Sequence, residues 1–247
     1  MRREGRRLVL YAALLWVGAL LLPCNAYDNT TTDIVTCTNT QGRFVIEVKR
    51  GWSPVGAAHF IELVKAGAFD GVSFFRVVPG FLTQFGLHGE RAVRERWARA
   101  TIQDDPPLGI KFKHGMLSYA GSGKNSRSCQ VFITMGDVPS LGNSPWETAF
   151  GVVSEGLDHI DNLYSGYGDL APWGKGPDQG KIWAEGNAYL EREFPRLDYM
   201  KTCAWQPARV EAASVPARRD RANPHNCAIR HGRGGSGAVH GGVPSCQ

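Results

Sequence analysis

One stretch of fourteen residues, SFFRVVPGFLTQFG from Ser73 to Gly86, constrains the fold more than any other part of the chain. Its aromatic and β-branched residues predict a strand from Ser73 to Val78, and Pro79-Gly80 predicts a tight turn that breaks it. Phe81 to Phe85 then resumes the extended pattern. The chain is therefore expected to build a β-sheet around a sharply bent strand.

Arg76 is the only charged residue in this stretch. Side chains alternate between the two faces of a strand, so Arg76 shares a face with Phe74 and Val78, and Gln84 shares one with Leu82. An arginine, a phenylalanine and a glutamine are thus predicted to converge on a pocket with apolar walls. The alternative is a plain hydrophobic hairpin that carries one solvated arginine, and composition alone does not decide between the two.

A second stretch, GMLSYAGSGKNSRSCQVFITM from Gly115 to Met135, has the order strand, small polar loop, strand. Together the two stretches resemble the cyclophilin family of peptidyl-prolyl cis/trans isomerases. The hallmark segments of that family are an Arg followed by Pro-Gly-Phe-x-x-Gln and, later, a Gln-x-Phe-Ile strand. The resemblance covers about Asp33 to Trp205, and the matching residues are Arg76, Pro79-Gly80-Phe81, Gln84 and Gln130-Val131-Phe132-Ile133.

The resemblance implies a mainly β fold, a closed antiparallel β-barrel of about eight strands capped by two helices. The residue pattern agrees, because Asp33–Thr38 and Arg43–Lys49 form a predicted hairpin and Leu197–Trp205 a closing strand. One helix is predicted to start at the N-cap Ser53 and to end at Gly67, with a second around 157–164. The domain is expected to span residues 33–205.

The segments between these elements are predicted to be irregular. Leu87 to Lys113 is expected to be an exposed insert with a short solvated helix that carries Arg91, Arg94, Arg96 and Arg99. Asp104-Asp105 is expected in a surface turn, without a role in acid/base chemistry. Gly166 to Gly180 is rich in glycine and proline, which predicts a long loop.

The resemblance also implies the reaction and the residues that perform it. Rotation about an X-Pro bond must break amide resonance, a barrier of about 18–20 kcal/mol, and it requires no nucleophile and no cofactor. Arg76 is assigned the role of donating to the prolyl nitrogen or holding the flanking carbonyl, because a guanidinium stays charged and offers several donors. Phe81 and Gln84 complete the predicted catalytic set, and the predicted substrate-binding residues are Leu82, Ala120, Gly121, Gln130, Phe132 and Leu141.

The chain also departs from the family. Gly121 stands where an asparagine is usual, Leu82 where a methionine is usual, and Phe75 and Phe85 replace a histidine and a glycine. Glu147 falls where the pocket histidine usually lies. The altered neighbourhood of Gly121 and Glu147 motivates a competing hypothesis, a non-catalytic module or scaffold that binds proline-containing polypeptides through the same pocket.

The formal net charge of +5 is unevenly distributed. Residues 1–26 hold four Arg and one Glu, and residues 204–247 hold six Arg and two acidic residues, which leaves 18 Lys and Arg against 20 Asp and Glu between them. A nucleic-acid-binding body is expected to carry a basic face, so no nucleic-acid partner is predicted. A monomer is expected, with proline-containing polypeptides as its partners.

The two ends of the chain are predicted to lie outside this domain. Four arginines precede Leu8–Leu22, an uncharged run, and Pro23 to Ala26 follows, the order typical of a secretory signal peptide. The alternative is a signal anchor in which residues 8–22 hold the protein at the membrane. Both predict delivery to the secretory-pathway lumen, in the endoplasmic reticulum or Golgi, with the protein either secreted or held by the uncleaved N-terminal segment. Residues 206–247 are expected to be disordered, and their His and Cys spacing fits no zinc module, so no metal is predicted.

Delivery to an oxidising lumen would make cysteine pairing available. Cys37 falls in the first predicted strand and Cys203 in the closing one, and the resemblance places those two strands side by side. A disulfide between them and two buried free thiols both remain open, because directly paired strand positions do not always suit disulfide geometry. Cys129, beside Gln130, is expected to be unpaired.

Overall fold

The structure, a computed structural model, describes residues 31–207. The strands are β1 (Thr32–Asn39), β2 (Arg43–Lys49), β3 (Arg76–Val78), β4 (Leu82–Phe85), β5 (Met116–Tyr119), β6 (Val131–Thr134), β7 (Gly151–Glu155) and β8 (Met200–Gln206). The helices are α1 (Pro54–Lys65), α2 (Arg91–Arg99), α3 (Asp158–Asp161), α4 (Gln179–Glu185) and α5 (Asn187–Glu193), with a 3₁₀ turn at Pro145–Glu147. The predicted mainly β architecture is confirmed.

All eight strands belong to one curled sheet in the order β3-β4-β6-β5-β7-β2-β1-β8, with antiparallel pairing throughout. Its two edges, β3 and β8, are linked just before each strand begins. Ser73 forms an isolated antiparallel bridge with Tyr199, and the Phe74 N–H donates to the Asp198 carbonyl at 2.9 Å. Full closure into a barrel stays a prediction.

The main core lies where α1 packs on the sheet. Alternate residues of β1 are buried, as a strand with one face on the core requires. The predicted amphipathic helix is confirmed as α1, which buries Ala57, Phe60, Leu63 and Val64 in the same cluster as the strand residues. Burying each large apolar side chain stabilises the fold by about 1.5–3 kcal/mol.

The prediction for Asp104-Asp105 is wrong at Asp105, which is buried. Its carboxylate accepts the main-chain N–H groups of Val55 and Gly56, both at 2.9 Å, and the hydroxyl of Ser53 donates to it. Arg127, with no exposed surface, donates to the same carboxylate at 3.0 Å. Asp105 therefore satisfies the unpaired N–H groups at the start of α1, a task that the sequence assigned to Ser53.

The insert around α2 is helical as predicted, but Arg94 is not solvated. Its buried guanidinium donates to the carbonyls of Gly89 and Trp183, each at 2.9 Å, and also to that of His88. It thereby attaches α2 to α4, a helix that the sequence pattern did not reveal. The predicted loop ends at Pro177, because Asp178 caps α4 by accepting the Lys181 N–H at 2.9 Å. The structure thus has more helices than the two predicted caps.

The predicted signal segment, residues 1–26, and nearly all of the predicted tail lie outside the described residues. Within residues 31–207, no helix has the length and apolar character needed to cross a membrane. The same range contains no cluster of three or more His, Cys, Asp or Glu suited to a metal ion.

Cys37 of β1 and Cys203 of β8 are direct cross-strand partners, joined by a disulfide with their Cα atoms 4.1 Å apart. The bond connects residues 166 positions apart in the chain. A loop of this length restricts the unfolded chain strongly, because many open conformations are lost. Cys129 is a buried free thiol.

We expect the double variant Cys37→Ala/Cys203→Ala to lose about 2–5 kcal/mol of unfolding free energy relative to the oxidised protein. Urea denaturation measures the loss, and non-reducing peptide mapping should recover the two cysteines in one linked peptide. Reductant should lower the unfolding midpoint of the wild type and leave that of the double variant unchanged. Equal midpoints for oxidised wild type and variant would show that the bridge contributes nothing.

Candidate active site

The hairpin of β3 and β4 and its neighbour β6 position the central residues of the site. Arg76 pairs directly with Gln84, and Gln84 pairs directly with Phe132 on β6. Residues directly opposite one another on neighbouring strands project from the same face of a sheet. The three side chains therefore form one row across three strands. Phe74, which the alternation placed on the face of Arg76, is instead fully buried in the main core.

The structure brings all nine predicted site residues to the wall of one open cavity of about 550 Å³. Leu82 and Phe132 form its apolar side, backed by the buried ring of Phe112, whose centroid lies 5.6 Å from that of Phe132. Phe81 and Leu141 pack against the same cluster. The cavity thus combines an apolar wall with the polar side chains of Arg76, Gln84 and Gln130.

Arg76 is held by a carboxylate that the sequence analysis did not single out. Its Nε donates to Asp169 Oδ1 at 2.7 Å and its Nη2 donates to Asp169 Oδ2 at 3.1 Å. The Nη1 group donates to Gln84 Oε1 at 3.3 Å, and the ring of Phe81 lies 5.4 Å from the guanidinium carbon. The guanidinium is therefore fixed on two edges at the border of the cavity.

Three glutamine side chains continue from this arginine. Gln84 Nε2 donates to Gln130 Oε1 at 2.8 Å, and Gln179 Nε2 donates to the same oxygen at 2.7 Å. Because a guanidinium can only donate, it fixes Gln84 with its carbonyl toward Arg76 and its amide toward Gln130. Both lone pairs of Gln130 Oε1 are thus engaged, and its amide N–H groups are the part of the side chain that remains to bind a ligand.

The functional residues that sequence reasoning missed come mainly from the loop Gly166–Gly180. This segment supplies Asp169 to Arg76 and adds Leu170, Trp173 and Gln179 to the cavity wall. Trp173 is the most exposed large apolar residue of the described chain, at 82%. An aspartate, a leucine and a tryptophan within a run of glycine and proline were the signal that something more than a linker lies there.

The departures from the family pattern have local structural reasons. A Cβ atom at Gly121 would lie 2.9 Å from the Cβ of Trp146, so the 3₁₀ turn occupies the space that a larger residue would need. Phe75 is fully buried with Leu170 in a second apolar cluster, and Phe85 is buried in the main core against Phe74. Their side chains serve packing.

Two charged or nucleophilic groups near the cavity also have defined environments. Glu147 lies in the cavity wall, where its carboxylate accepts the Gly142 N–H at 3.2 Å. Cys129, next to Gln130, is buried, and burial raises the pKa of its thiol to about 11. A thiol that stays protonated at neutral pH is a poor nucleophile, so covalent chemistry by Cys129 is not supported.

Comparisons with known proteins agree with the geometry. Residues 33–178 match the family described as cyclophilin type peptidyl-prolyl cis-trans isomerase/CLD. A peptidyl-prolyl cis-trans isomerase of Acinetobacter baylyi is 30% identical over 151 residues, which cover 60% of this chain and 78% of the relative. One from Arabidopsis thaliana is 33% identical over 135 residues, covering 53% of this chain and 80% of the relative.

Solved structures resemble the fold of the described domain. A crystal structure of a cyclophilin-type peptidyl-prolyl cis-trans isomerase from Cryptosporidium parvum superimposes with a TM-score of 0.51 at 18% identity, covering 71% of this chain and 98% of that one. The same protein in the presence of the dipeptide Ala-Pro gives a TM-score of 0.51 at 17% identity, with 70% and 98% covered. At this identity the likeness concerns the fold.

The tight contact at Gly121 leads to a test of the cavity wall. We expect Gly121→Ala to lower the free energy of unfolding by about 1–3 kcal/mol, because the added Cβ must displace Trp146. It should also weaken the binding of a proline-containing peptide, measured by titration calorimetry, since Glu147 in the same turn moves with Trp146. Lys124→Ala, an exposed change in the same loop, is the control. If both variants match the wild type in stability and affinity, the contact with Trp146 does not shape the cavity.

Proposed function

The chain belongs to the cyclophilin-type peptidyl-prolyl cis-trans isomerase family, and we propose that it isomerises X-Pro bonds of polypeptides in the cavity around Arg76. The observation that carries the proposal is the guanidinium fixed beside an apolar wall. A proline ring has the size and polarity to fit against Leu82 and Phe132. The adjoining amide would then lie next to Arg76.

Arg76 retains donors for a substrate in this arrangement. A guanidinium has five N–H donors, and the hydrogen bonds to Asp169 and Gln84 use three of them. One N–H on each terminal nitrogen remains. These can donate to the prolyl nitrogen as it becomes pyramidal and regains its lone pair, or to the carbonyl beside it. The contact with the nitrogen is stronger in the twisted amide than in the planar one, which lowers the barrier to rotation, whereas the contact with the carbonyl holds the substrate in place.

The remaining polar groups suit an extended peptide. The Gln130 amide, with its oxygen already occupied, is left to donate to a substrate carbonyl. Ala120 and Gly121 also line the cavity, where their main-chain groups can contact a peptide. The reaction moves no proton and forms no bond, so these residues act only by holding and orienting the substrate.

We also propose that the protein works in the lumen of the secretory pathway and assists folding there. The supporting observations are the signal-like order of residues 1–26 and the disulfide between Cys37 and Cys203. Disulfides persist in oxidising compartments and are rare in the cytosol. The proposal covers both forms of the N-terminal segment, a signal peptide that is removed and a membrane anchor formed by residues 8–22.

Isomerisation of a proline peptide tests the assignment of Arg76. We expect Arg76→Ala to lower kcat/KM by about 10²–10³-fold, the effect of removing one donor aimed at a transition state. Arg43→Ala is the matched control, because Arg43 pairs with Glu155 on an exposed surface outside the cavity. Wild-type activity in Arg76→Ala would refute this mechanism. Peptide binding by the wild type without faster exchange would instead favour the non-catalytic module.

Compartment is tested separately by expressing the full chain in cultured eukaryotic cells. We expect the protein in isolated microsomes to be protected from added protease until detergent is present, because the arginine-flanked apolar run directs translocation. Deleting residues 2–22 should leave it accessible to protease and with Cys37 and Cys203 reduced. Protease sensitivity of the full chain without detergent would contradict the proposed compartment.

A further inference from the structure

The segment Gly166–Gly180, here called the Asp169 loop, includes the first two residues of α4 and borders the proposed active site. It contributes the only carboxylate in hydrogen-bond contact with Arg76 in the described part of the chain. We propose that Asp169 is a positioning residue that sets the orientation of the Arg76 guanidinium for isomerisation. The inference rests on the proposed function. It adds to that function a residue of the Asp169 loop outside the hallmark segments.

The contact is geometrically selective. Asp169 binds the edge of the guanidinium formed by Nε and Nη2, and Gln84 binds Nη1. A carboxylate bound to two nitrogens of one guanidinium fixes the plane of the group as well as its position. The two N–H donors that remain are thereby held in one direction, which a single-point contact would not achieve.

The main chain of the loop is folded closely around Asp169. The Asp169 carbonyl accepts the Gly176 N–H at 2.8 Å, and the Leu170 N–H donates to Asp169 Oδ1 at 2.7 Å. A Cβ atom at Gly174 would lie 2.3 Å from the Asp169 carbonyl oxygen, and one at Gly176 would lie 2.6 Å from it. Two glycines are therefore required for the chain to return so close to this residue. These contacts within the loop hold the Asp169 carboxylate in place independently of Arg76.

Both ends of the loop are attached to the site. Leu170 packs in the second apolar cluster with Phe75, the residue that directly precedes Arg76. At the other end, Gln179 donates to Gln130 at 2.7 Å. The segment thus contacts both the strand that carries Arg76 and Gln130, the residue directly before β6. Asp169 and Arg76 are fixed to the same framework.

A purely structural role does not account for this arrangement. The side chains of Arg76 and Asp169 are 22% and 31% exposed, and partly exposed ion pairs contribute little to global stability. What the pair does restrict is the set of conformations that the long arginine side chain can adopt. Without the contact to Asp169, the Arg76 guanidinium would adopt several orientations. The substrate would bind nearly as well, but the guanidinium would donate to the twisted amide in fewer of the bound complexes.

The experiment compares Asp169→Asn, Asp169→Glu and the control Asp137→Asn, whose carboxylate pairs with Lys113 on the surface. For Asp169→Asn we expect kcat to fall by about 10- to 100-fold with KM changed less than about twofold, since the loss is one of orientation. Asp169→Glu should recover most of kcat, and Asp137→Asn should match the wild type. All variants should unfold at the wild-type urea midpoint.

A second measurement keeps this inference separate from the proposed function. The Nε–Hε signal of Arg76 in an NMR spectrum should be sharp and slow to exchange with water in the wild type, and should broaden in Asp169→Asn. Unchanged kcat in Asp169→Asn, or a rise in kcat, would overturn the positioning role while isomerase activity stands. If the wild type proves inactive, the proposed function fails, and the Arg76 signal alone decides whether Asp169 orients it.

Discussion

The buried ion pair of Arg127 with Asp105 is the interaction on which the rest of the structure depends. The guanidinium has no exposed surface, lies 5.7 Å from the ring centroid of Tyr119, and donates to Asp105 and Ser53. Asp105 in turn caps α1. Gly56 is required there, since a Cβ atom would lie 2.7 Å from Arg127 Nη1. Arg127 Nε also lies 3.4 Å from Asp104 Oδ1. Removing Arg127 would leave the buried carboxylate of Asp105 without its cation, a cost of about 3–5 kcal/mol, so helix, loop and strand are committed to one arrangement.

This network reaches the active site through the residues that follow Arg127. The Ser128 carbonyl lies 2.9 Å from His59 Nε2 on α1, and burial lowers the pKa of that imidazole. A Cβ atom at Gly86 would lie 2.1 Å from the Cys129 carbonyl oxygen. The main chain directly after β4 is therefore in close contact with the main chain that leads into β6. Gln130 comes next. Each residue before it is anchored, which leaves this glutamine little freedom and lets it orient Gln84 and, through Gln84, Arg76.

The sequence predicted what is local and missed what is distant. Alternation within a strand was sufficient to predict that Leu82 and Gln84 share a face, because side-chain direction in a strand follows from position alone. The row of Arg76, Gln84 and Phe132 crosses three strands and depends on their pairing, which alternation does not fix. Alternation says nothing about Asp105 and Asp169, because their partners lie in distant segments. A carboxylate beside proline or glycine is typical of an ordinary surface turn, and only the nearby leucine and tryptophan distinguished the segment of Asp169. Arg94 was predicted to be solvated for a related reason. Its position in the sequence of α2 is typical of a solvent-facing residue, and only the packing of α4 against α2 buries it. Long-range pairing of this kind is a property of the folded chain.

The departures from the family pattern are best understood as pairs. Gly121 provides the volume that Trp146 occupies, and the aromatic ring of Phe75 provides the apolar surface against which Leu170 of the Asp169 loop packs. In each case the changed residue and its partner pack into one space of the folded chain. A site that had lost its function would be free to lose its polar contacts as well. Here the arginine instead has a bidentate carboxylate partner, and the two hallmark glutamines are joined by a third from the Asp169 loop. Partly exposed contacts that orient donors beside an apolar wall stabilise the fold little, and their effect is to keep those donors oriented for a substrate.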